Sequence, residues 1–247
     1  MDSSPPTPTL HHLAHSQSIR VLFALEEFGL PYHLKAYQRV KGRAPPELRD
    51  LFPLGKSPIL EIPPTESESG PLRHVSTNPN PGTDRTVVTE SRLILHHLAD
   101  HYAPGLCTSN EDAARNTYFE EFAMCTLAPL VERILIFDLI PSATPLLVRP
   151  ITWSLFYPFA WLFKKDLDAP LAVMEDALST QEWFSGRELG IADLCLVFPM
   201  DVAAQRGWLA KRKSPRVQGW LARMHGRDGY QRAVAKSGGY DLKMFGM

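Results

Sequence analysis

Three short segments carry the side chains that can do chemistry, and each stands where an apolar run meets a polar loop. Ser16 and Ser18 follow one such run, Lys56-Ser57-Pro58 precedes a second, and Glu90-Ser91 follows a third. In mixed α/β sheets, ligands usually bind beyond the carboxyl ends of strands and beside helix N-termini. None of the three segments is diagnostic alone, but together we expect them to converge on one ligand site.

Each segment suits a different part of a charged ligand. A serine hydroxyl at residue 16 would lie beside the positive end of a helix, which favours an anion by up to about 1 kcal/mol. A cis bond at Pro58 would turn the Ser57 backbone toward a ligand. The Glu90 carboxylate and nearby free N–H groups can hold both charges at an amino acid's α-carbon. The plainer alternatives are a simple serine cap and an ordinary acidic helix start.

The elements that must position these segments change character near residue 104. Before it, apolar spacing predicts the order β-α-β, a short helix, then β-β-α, and after it the pattern is almost wholly helical. The predicted strands cover residues 9–13, 32–36, 58–62 and 86–89, and the predicted helices cover 21–28, a short stretch from 45 and residues 90–101. The fold class is therefore mixed α/β followed by all-α.

Two polar stretches interrupt this pattern. Residues 63–85 are rich in Pro, Gly, Ser, Thr and Asn and predict an exposed hairpin insertion, while residues 104–110 predict a linker. In the helical part, Pro129 predicts a kink or break in a long helix. Further helices are predicted at about 145–163, 164–178, 191–206 and 215–226.

The overall composition excludes several classes of protein. The chain has 26 basic and 27 acidic residues, which argues against a dedicated nucleic-acid binder. Its three cysteines form neither a CxxC nor a zinc pattern, so a reducing compartment such as the cytoplasm is expected. We expect no secretory signal, and the apolar run at residues 153–163 is shorter than the roughly 20 residues that cross a bilayer.

Two surface features have several interpretations. Nine basic residues between Arg206 and Lys236 are predicted to form the solvated face of terminal helices, with an anionic partner site as the alternative. Aromatic residues recur from Tyr118 to Phe122 and from Trp153 to Phe163. Such a stripe usually belongs to the core. It can also line a pocket, cover a dimer face or touch a membrane surface, and spacing does not separate these.

Taken in order, these segments resemble the cytosolic glutathione S-transferase family, most closely a fungal and bacterial branch, over most of the chain. In the first half the resemblance rests on His15-Ser16-Gln17-Ser18-Ile19-Arg20-Val21-Leu22, Arg43-Ala44-Pro45-Pro46-Glu47-Leu48 and Pro53-Leu54-Gly55-Lys56-Ser57-Pro58-Ile59. In the second half it rests on Ile136-Phe137-Asp138-Leu139-Ile140-Pro141, Leu147-Val148-Arg149-Pro150-Ile151, Trp183-Phe184-Ser185-Gly186 and Ala192-Asp193-Leu194.

This resemblance implies an architecture and a ligand. Residues 1–103 would form a thioredoxin-like domain that binds glutathione, and residues 110–247 an all-helical domain that contributes the electrophile pocket. Glutathione would be a co-substrate, with no metal or redox cofactor, and the second substrate would be an apolar electrophile. The resemblance also implies a homodimer and a role in detoxification or secondary metabolism.

Carried over by position, the resemblance assigns each part of glutathione to residues of this chain. The γ-glutamyl end would bind Glu90 and Ser91. The cysteinyl backbone would pair with Ser57, which a cis Pro58 would hold in place. Lys56 would approach the glycine carboxylate.

The residue that stabilises the thiolate is the least determined part of this assignment. Ser16 matches the serine that faces the thiol in serine-type members, but Ser18, His15 or backbone N–H groups can take that role. Asp193 matches a buried aspartate with a folding role. Its helix usually opens with Ser or Thr, whereas this chain has Gly190, a tolerated cap.

Four functions are compatible with these residues. The leading one is a conjugating transferase, in which the thiolate attacks an electrophilic carbon. A glutathione-dependent isomerase or a pathway-specific conjugating enzyme of secondary metabolism would use the same thiolate. A non-enzymatic binding module would not need Glu90-Ser91 and Ser57-Pro58. Thiol–disulfide exchange is disfavoured because the loop after the first strand contains Ser16 and no cysteine.

Overall fold

A computed structural model of the protein describes residues 7–63, 86–103, 112–210 and 213–243. The chain divides into two compact units, one made of Met1–Cys107 with Gly226–Tyr240 and one made of Thr108–His225 with Asp241–Met247. The first unit contains a four-stranded sheet with helices, and the second is helical. The predicted class, a thioredoxin-like α/β part followed by an all-helical part, is confirmed.

The sheet of the first unit has the strand order β2-β1-β3-β4. Strand β1 (Thr9–Leu13) pairs in parallel with β2 (His33–Tyr37) and antiparallel with β3 (Ile59–Ile62). Strand β4 (Thr86–Thr89) pairs antiparallel with β3. The four predicted strands are confirmed, with β2 and β3 each beginning one residue later than predicted.

Helices α1 (Ile19–Glu27), α2 (Glu47–Leu51) and α3 (Ser91–His101) complete the first half of the chain. They match the three predicted helices. Every residue of α1 except Glu27 is buried, so other parts of the protein surround this helix on all sides. The predicted insertion at residues 63–85 and the predicted linker at 104–110 lie outside the described residues, apart from Pro63.

The second unit consists of helices. The helices are α4 (Ala113–Glu121), α5 (Ala128–Ser142), α6 (Arg149–Asp166), α7 (Asp168–Ala177), α8 (Ile191–Gln205) and α9 (Pro215–Gly226). The four helices predicted after residue 145 are confirmed to within a few residues at each end. Within the described ranges, no helix is both long and apolar enough to span a membrane.

The irregularity predicted at Pro129 takes the form of a π-helical segment. Phe122–Leu127 is π-helical and joins α4 to α5, so the helix changes its winding just before the proline. Pro129 then occupies the first turn of α5. Proline lacks an N–H and its ring crowds the carbonyl four residues earlier. The wider π turn is one way to relieve that conflict without ending the helix.

A last helix, α10 (Asp228–Lys236), returns to the first unit and packs against α1. Gly229 permits this approach, because a Cβ at that position would lie 2.6 Å from the Cα of Glu27. Arg232 Nε donates to Glu26 Oε2 at 3.0 Å, and Lys236 also pairs with Glu26. These long-range ion pairs fasten the C-terminal helix to the first helix of the chain.

These contacts correct the interpretation of the basic segment as a merely solvated face. Arg227, Arg232 and Lys236 each pair with an acidic side chain of α1, either Glu26 or Glu27. Charge-assisted contacts from Lys236, Tyr32 and Arg232 oppose the effect of burial and hold the pKa of Glu26 below its ordinary value. Part of the basic segment therefore joins α10 to α1.

Candidate active site

The three polar segments converge at one end of the sheet of the first unit. His11 in β1 lies opposite Ile59 in β3, and Ile59 lies opposite Thr89 in β4. The end of β1, the start of β3 and the end of β4 therefore lie at the same end of the sheet, along the direction of the strands. Ser57 precedes β3 and Glu90 follows β4, so antiparallel pairing brings both next to the loop after β1.

Ser57 is the best-anchored member of this group. Its hydroxyl donates to the His11 carbonyl at 2.9 Å and accepts the Leu13 N–H at 3.0 Å. The Ser57–Pro58 peptide bond is cis, as expected. No residue of the described part hydrogen-bonds to the Ser57 backbone N–H or carbonyl. The side chain thus fixes the loop to β1 and leaves both backbone groups for an extended peptide.

Glu90 and Ser91 stand at the start of α3 with an uncommon geometry. Glu90 is exposed and has φ 69° and ψ 117°, a backbone conformation that non-glycine residues rarely adopt. Such strain persists where surrounding structure enforces it and is common at ligand sites. Ser91 is buried, and within the described residues its hydroxyl has no hydrogen-bond partner. A charged group and an unsatisfied hydroxyl therefore adjoin one helix N-terminus.

Lys56 extends from the loop before Ser57 with an exposed side chain. The preceding Gly55 has φ 58°, and a Cβ there would collide with the side chain of Arg49. Only glycine fits this position without displacing Arg49. The turn at Gly55 therefore leads directly into Lys56, whose exposed cation is next in sequence to Ser57.

Ser16 and Ser18 form a hydrogen-bond network that closes on the chain itself. The Ser16 hydroxyl donates to the Leu13 carbonyl at 2.7 Å and accepts the Ser18 N–H at 3.2 Å. The Ser18 hydroxyl contacts His12 Nδ1 and lies 3.3 Å from the Ser16 hydroxyl. Ser18 is fully buried, whereas Ser16 retains 6% exposure. Of the two candidates, Ser16 is nearer to the surface and Ser18 is committed to His12.

His12 is a residue that the sequence analysis missed. It is fully buried in β1, and burial lowers the pKa of its imidazole to about 4. At neutral pH the ring is therefore uncharged, and Nδ1 can accept the Ser18 hydroxyl proton. The only sequence signal was a histidine pair within an otherwise apolar strand, which by itself indicates a buried side chain as readily as a site residue.

The loop that carries Ser16 is braced by distant parts of the chain. His15 has φ 53°, and its N–H donates to the Gly239 carbonyl at 3.0 Å. Arg39 donates to the His15 carbonyl at 3.0 Å. Because Gly239 follows α10, the C-terminal helix and its following turn support the candidate site. The sequence contained no local signal for this contact.

The aromatic residues fall into two environments. Phe119 and Phe122 are buried in the second unit, as the core interpretation predicted, and Tyr118 is 54% exposed. In α6, by contrast, Trp153 and Trp161 are each about half exposed. The core interpretation is therefore wrong for the outward side chains of α6. Within the described residues, no group of three or more His, Cys, Asp or Glu side chains is placed to hold a metal ion.

Comparison with known proteins gives matches across both units. A family model described as the glutathione S-transferase N-terminal domain matches residues 16–101, and one described as the C-terminal domain of the same enzymes matches residues 164–228. Glutathione S-transferase 3 of Schizosaccharomyces pombe is 30% identical over 240 residues, which cover 96% of this chain and 90% of the relative.

Solved structures show the same architecture. A glutathione S-transferase from Actinobacillus pleuropneumoniae has a TM-score of 0.66 and 25% identity, with 97% of each chain covered. Ure2p5 from Phanerochaete chrysosporium, cocrystallised with 1-(S-glutathionyl)-2,4-dinitrobenzene, has a TM-score of 0.67 and 20% identity. That match covers 95% of this chain and 96% of Ure2p5, and at this identity it bears on the fold alone.

Proposed function

The chain belongs to the glutathione S-transferase family, and from this membership we propose that it activates the thiol of glutathione for attack on an apolar electrophile. The family supports transferase activity in general, with glutathione as a substrate. The observation that supports thiol activation at a specific site is that strand pairing brings Ser57, Glu90 and the Ser16 loop to the same end of the sheet.

Each part of glutathione has a complementary group at this end of the sheet. The Glu90 carboxylate attracts the γ-glutamyl ammonium, while the Ser91 hydroxyl and the N-terminus of α3 suit its carboxylate. The backbone N–H and carbonyl of Ser57 suit the cysteinyl carbonyl and N–H. The Lys56 cation suits the glycine carboxylate. The strained backbone of Glu90 supports this assignment, because strain of this kind concentrates at ligand clamps.

The chemical step depends on converting the bound thiol into a thiolate. A cysteine thiol with a pKa near 8.5 is only a few per cent ionised at neutral pH, and the thiolate is the nucleophile. Lowering the pKa by about 2 units requires about 2.7 kcal/mol. A hydroxyl donor such as Ser16 and the N-terminus of α1 can supply energies of this order.

In the reaction the thiolate sulfur forms a bond to an electrophilic carbon. Either a leaving group departs with its electron pair, or the π electrons of an activated alkene move to the neighbouring atom, which then takes a proton. For Ser16 to donate to the sulfur, its hydroxyl must rotate away from the Leu13 carbonyl. Ser18 and His12 then act as positioning residues that hold the loop.

Several finer features complete the proposal. The glutathione-binding part comprises residues 1–103 together with Gly226–Tyr240, which return to the first unit, and the remainder of residues 110–247 contributes the electrophile pocket. The protein works in the cytoplasm as a homodimer, in detoxification or secondary metabolism. A product that retains glutathione identifies conjugation, whereas release of free glutathione with a rearranged substrate identifies isomerisation.

The first prediction concerns Glu90. Calorimetric titration with glutathione is expected to show saturable binding with proton release, which is detected as a binding enthalpy that differs between two buffers of different ionisation enthalpy. The Glu90→Gln variant removes the charge that faces the ammonium group. Because hydrogen bonds to charged groups contribute about 1.5–3 kcal/mol, we expect its affinity to fall about 10- to 100-fold.

The matched control for this measurement is Asp100→Asn, which removes an exposed carboxylate near the other end of the same helix. Its affinity for glutathione should equal that of the wild type. Equal affinities for the Glu90 variant and the wild type would refute the placement of the γ-glutamyl end. Absence of any glutathione binding would refute the proposed function.

The second prediction separates the two serines. In Ser16→Ala, loss of one hydroxyl donor to the anion is expected to raise the pKa of the bound thiol by about 1–2 units. The change is followed by the ultraviolet absorbance of the thiolate across a pH titration of the glutathione complex. Ser18→Ala should leave this pKa within a few tenths of the wild-type value, since its hydroxyl is directed to His12.

The opposite pattern, with a raised thiol pKa only in Ser18→Ala, would transfer the role to Ser18. An unchanged thiol pKa in both variants would assign thiolate stabilisation to His15 or to backbone N–H groups instead. The thermal midpoint of each variant is measured alongside, so that loss of folding is not mistaken for loss of activation.

A further inference from the structure

The backbone of His15, the residue before Ser16, is held by a hydrogen bond on each side. Its N–H donates to the Gly239 carbonyl at 3.0 Å, and its carbonyl accepts from Arg39 Nη2 at 3.0 Å. His15 has φ 53°, a left-handed conformation that residues other than glycine rarely adopt. Strain of this kind persists only where the surrounding structure enforces it. Arg39 and Gly239 supply that enforcement, and the three residues together form the His15 clamp.

The Arg39 side of the clamp is oriented by a tight turn at residues 40–43. The ends of this turn exchange two backbone hydrogen bonds of 2.9 Å and 3.0 Å, and its two central residues have φ of 50° and 74°. Arg39 Nη1 donates to the Gly42 carbonyl at 3.2 Å, while Nη2 reaches His15. Because the guanidinium is planar, the bond to the turn fixes the direction of the bond to His15.

The Gly239 side of the clamp is the end of a chain of contacts that begins on α10. Ser237 is fully buried, and its hydroxyl donates to the Val234 carbonyl at 2.7 Å and accepts the Gly239 N–H at 3.3 Å. Gly239 has φ 134°, and a Cβ there would lie 2.9 Å from two atoms of the His15 ring. Only glycine lets this turn approach His15 so closely.

The clamp acts on the peptide group that contains the Ser16 N–H. The His15 carbonyl and the Ser16 N–H belong to one planar unit, so a fixed carbonyl fixes the direction of the N–H. Within the described ranges, the N–H groups of Ser16 and Gln17 make no hydrogen bond. They stand beside the Ser16 hydroxyl as donors for an anion. The charge-assisted bond from Arg39 also polarises the peptide group, which makes its N–H a stronger donor.

We propose that Arg39 and Gly239 are positioning residues for thiolate formation, an inference that rests on the proposed function. Neither residue touches the sulfur. They hold the His15–Ser16 peptide group so that the donors of the Ser16 loop, N–H or hydroxyl, meet the sulfur of bound glutathione without a change in the backbone. Donors held in place stabilise an anion better than mobile ones, because they need not reorient when the charge forms.

The test measures the pKa of the glutathione thiol in the saturated complex of the full-length protein, from the ultraviolet absorbance of the thiolate. In Arg39→Met the His15 carbonyl loses its charged donor, and we expect the thiol pKa to rise by about 0.5–1. Below the wild-type pKa the thiolate fraction should then fall about 3- to 10-fold. At about pH 5, where the thiol stays protonated in both proteins, the Kd for glutathione should equal that of the wild type.

Two further substitutions separate the contact from its charge. The matched control is Lys41→Met, which removes an exposed cation from the turn next to Arg39 and should leave the thiol pKa within a few tenths of the wild-type value. Arg39→Lys keeps the charge but lacks the planar fork that bonds to both Gly42 and His15. Its thiol pKa should lie between those of the wild type and Arg39→Met.

A pair of glycine variants tests the other side of the clamp. Gly239→Ala places a Cβ against the His15 ring and is expected to raise the thiol pKa by about 0.5–1. The control is Gly207→Ala, because Gly207 also has a positive φ, 73°, but a Cβ there would meet no atom within 4 Å. Both variants should have a lower thermal midpoint, whereas the thiol pKa should change only in Gly239→Ala.

Three results would overturn the proposal. The first is a wild-type thiol pKa in the Arg39→Met complex. The second is an equal rise in Lys41→Met, which would identify a general loss of positive charge in place of a specific contact. The third is a Gly239→Ala complex that titrates as Gly207→Ala does. A failure of the proposed function differs from all three, because the wild-type complex itself would then show the thiol pKa of free glutathione.

Discussion

Replacing Asp193 by alanine is expected to lower the free energy of unfolding by about 3–5 kcal/mol. The carboxylate is fully buried and accepts the N–H groups of Phe184 at 2.9 Å and Ser185 at 3.1 Å. It also accepts the Gly190 N–H at 3.3 Å and the Trp220 indole N–H at 2.7 Å. Removing it leaves four buried donors without an acceptor.

This network joins three parts of the second unit to the start of α8. Burial raises the pKa of Asp193, and the hydrogen bonds from Phe184, Ser185 and Trp220 oppose that effect. Gly190 has no side chain to cap this helix, but its N–H donates to the Asp193 carboxylate, which is the reciprocal contact of a capping box. The carboxylate therefore acts through folding, as the resemblance implied, because it organises a loop, a helix start and an indole around one buried acceptor.

Urea unfolding measured by circular dichroism provides the check. Asp193→Asn, a variant of nearly equal shape, keeps the measurement informative if the alanine variant does not fold, and we expect it to lose about 1–3 kcal/mol. The matched control is Asp176→Ala on α7, which removes an exposed carboxylate and should stay within about 0.5 kcal/mol. A loss below about 1 kcal/mol in Asp193→Ala would contradict the structural role.

His12 is expected to make the protein less stable in mild acid. Burial lowers the pKa of its imidazole to about 4 in the folded protein, against an ordinary value of 6.5. Below pH 6.5 the unfolded chain takes up a proton that the folded protein excludes, so stability falls as the pH falls. The loss is about 1.4 kcal/mol per pH unit and reaches about 3 kcal/mol near pH 4.

The measurement compares urea unfolding of the wild type and His12→Gln between about pH 7 and pH 5. The wild type should lose about 2 kcal/mol more than the variant across this range. Histidine 97, whose pKa burial also lowers to about 4, is present in both proteins and cancels in the difference. The exposed His33→Gln serves as the control and should keep the wild-type slope. Equal slopes in His12→Gln and the wild type would contradict a buried, neutral His12.

The local part of this fold was readable from the sequence. Short β-compatible runs predict β1, β3 and β4, alternation of apolar and polar residues predicts β2, and 3.6-residue spacing predicts α1 and α3, because such patterns depend only on neighbours along the chain. The candidate site was readable for the same reason. Ser57-Pro58 and Glu90-Ser91 stand at strand ends, and strand ends of one sheet meet at its edges. The cis peptide bond rested on the family resemblance rather than on spacing.

Tertiary structure decided what no local pattern contains. The pairing of Glu26 with Arg232 and Lys236 joins residues about 200 positions apart, so α10 returns to the first unit although its sequence resembles any terminal helix. The burial of His12, and hence its uncharged state, depends on the helices packed over β1. Trp153 and Trp161 stand in an aromatic stripe of a kind that usually belongs to a core, yet both are about half exposed, because only packing sets which side of a helix is covered. The periodicity of apolar residues specifies which face of a helix or strand is apolar. Which other element covers that face is decided by contacts between distant parts of the chain.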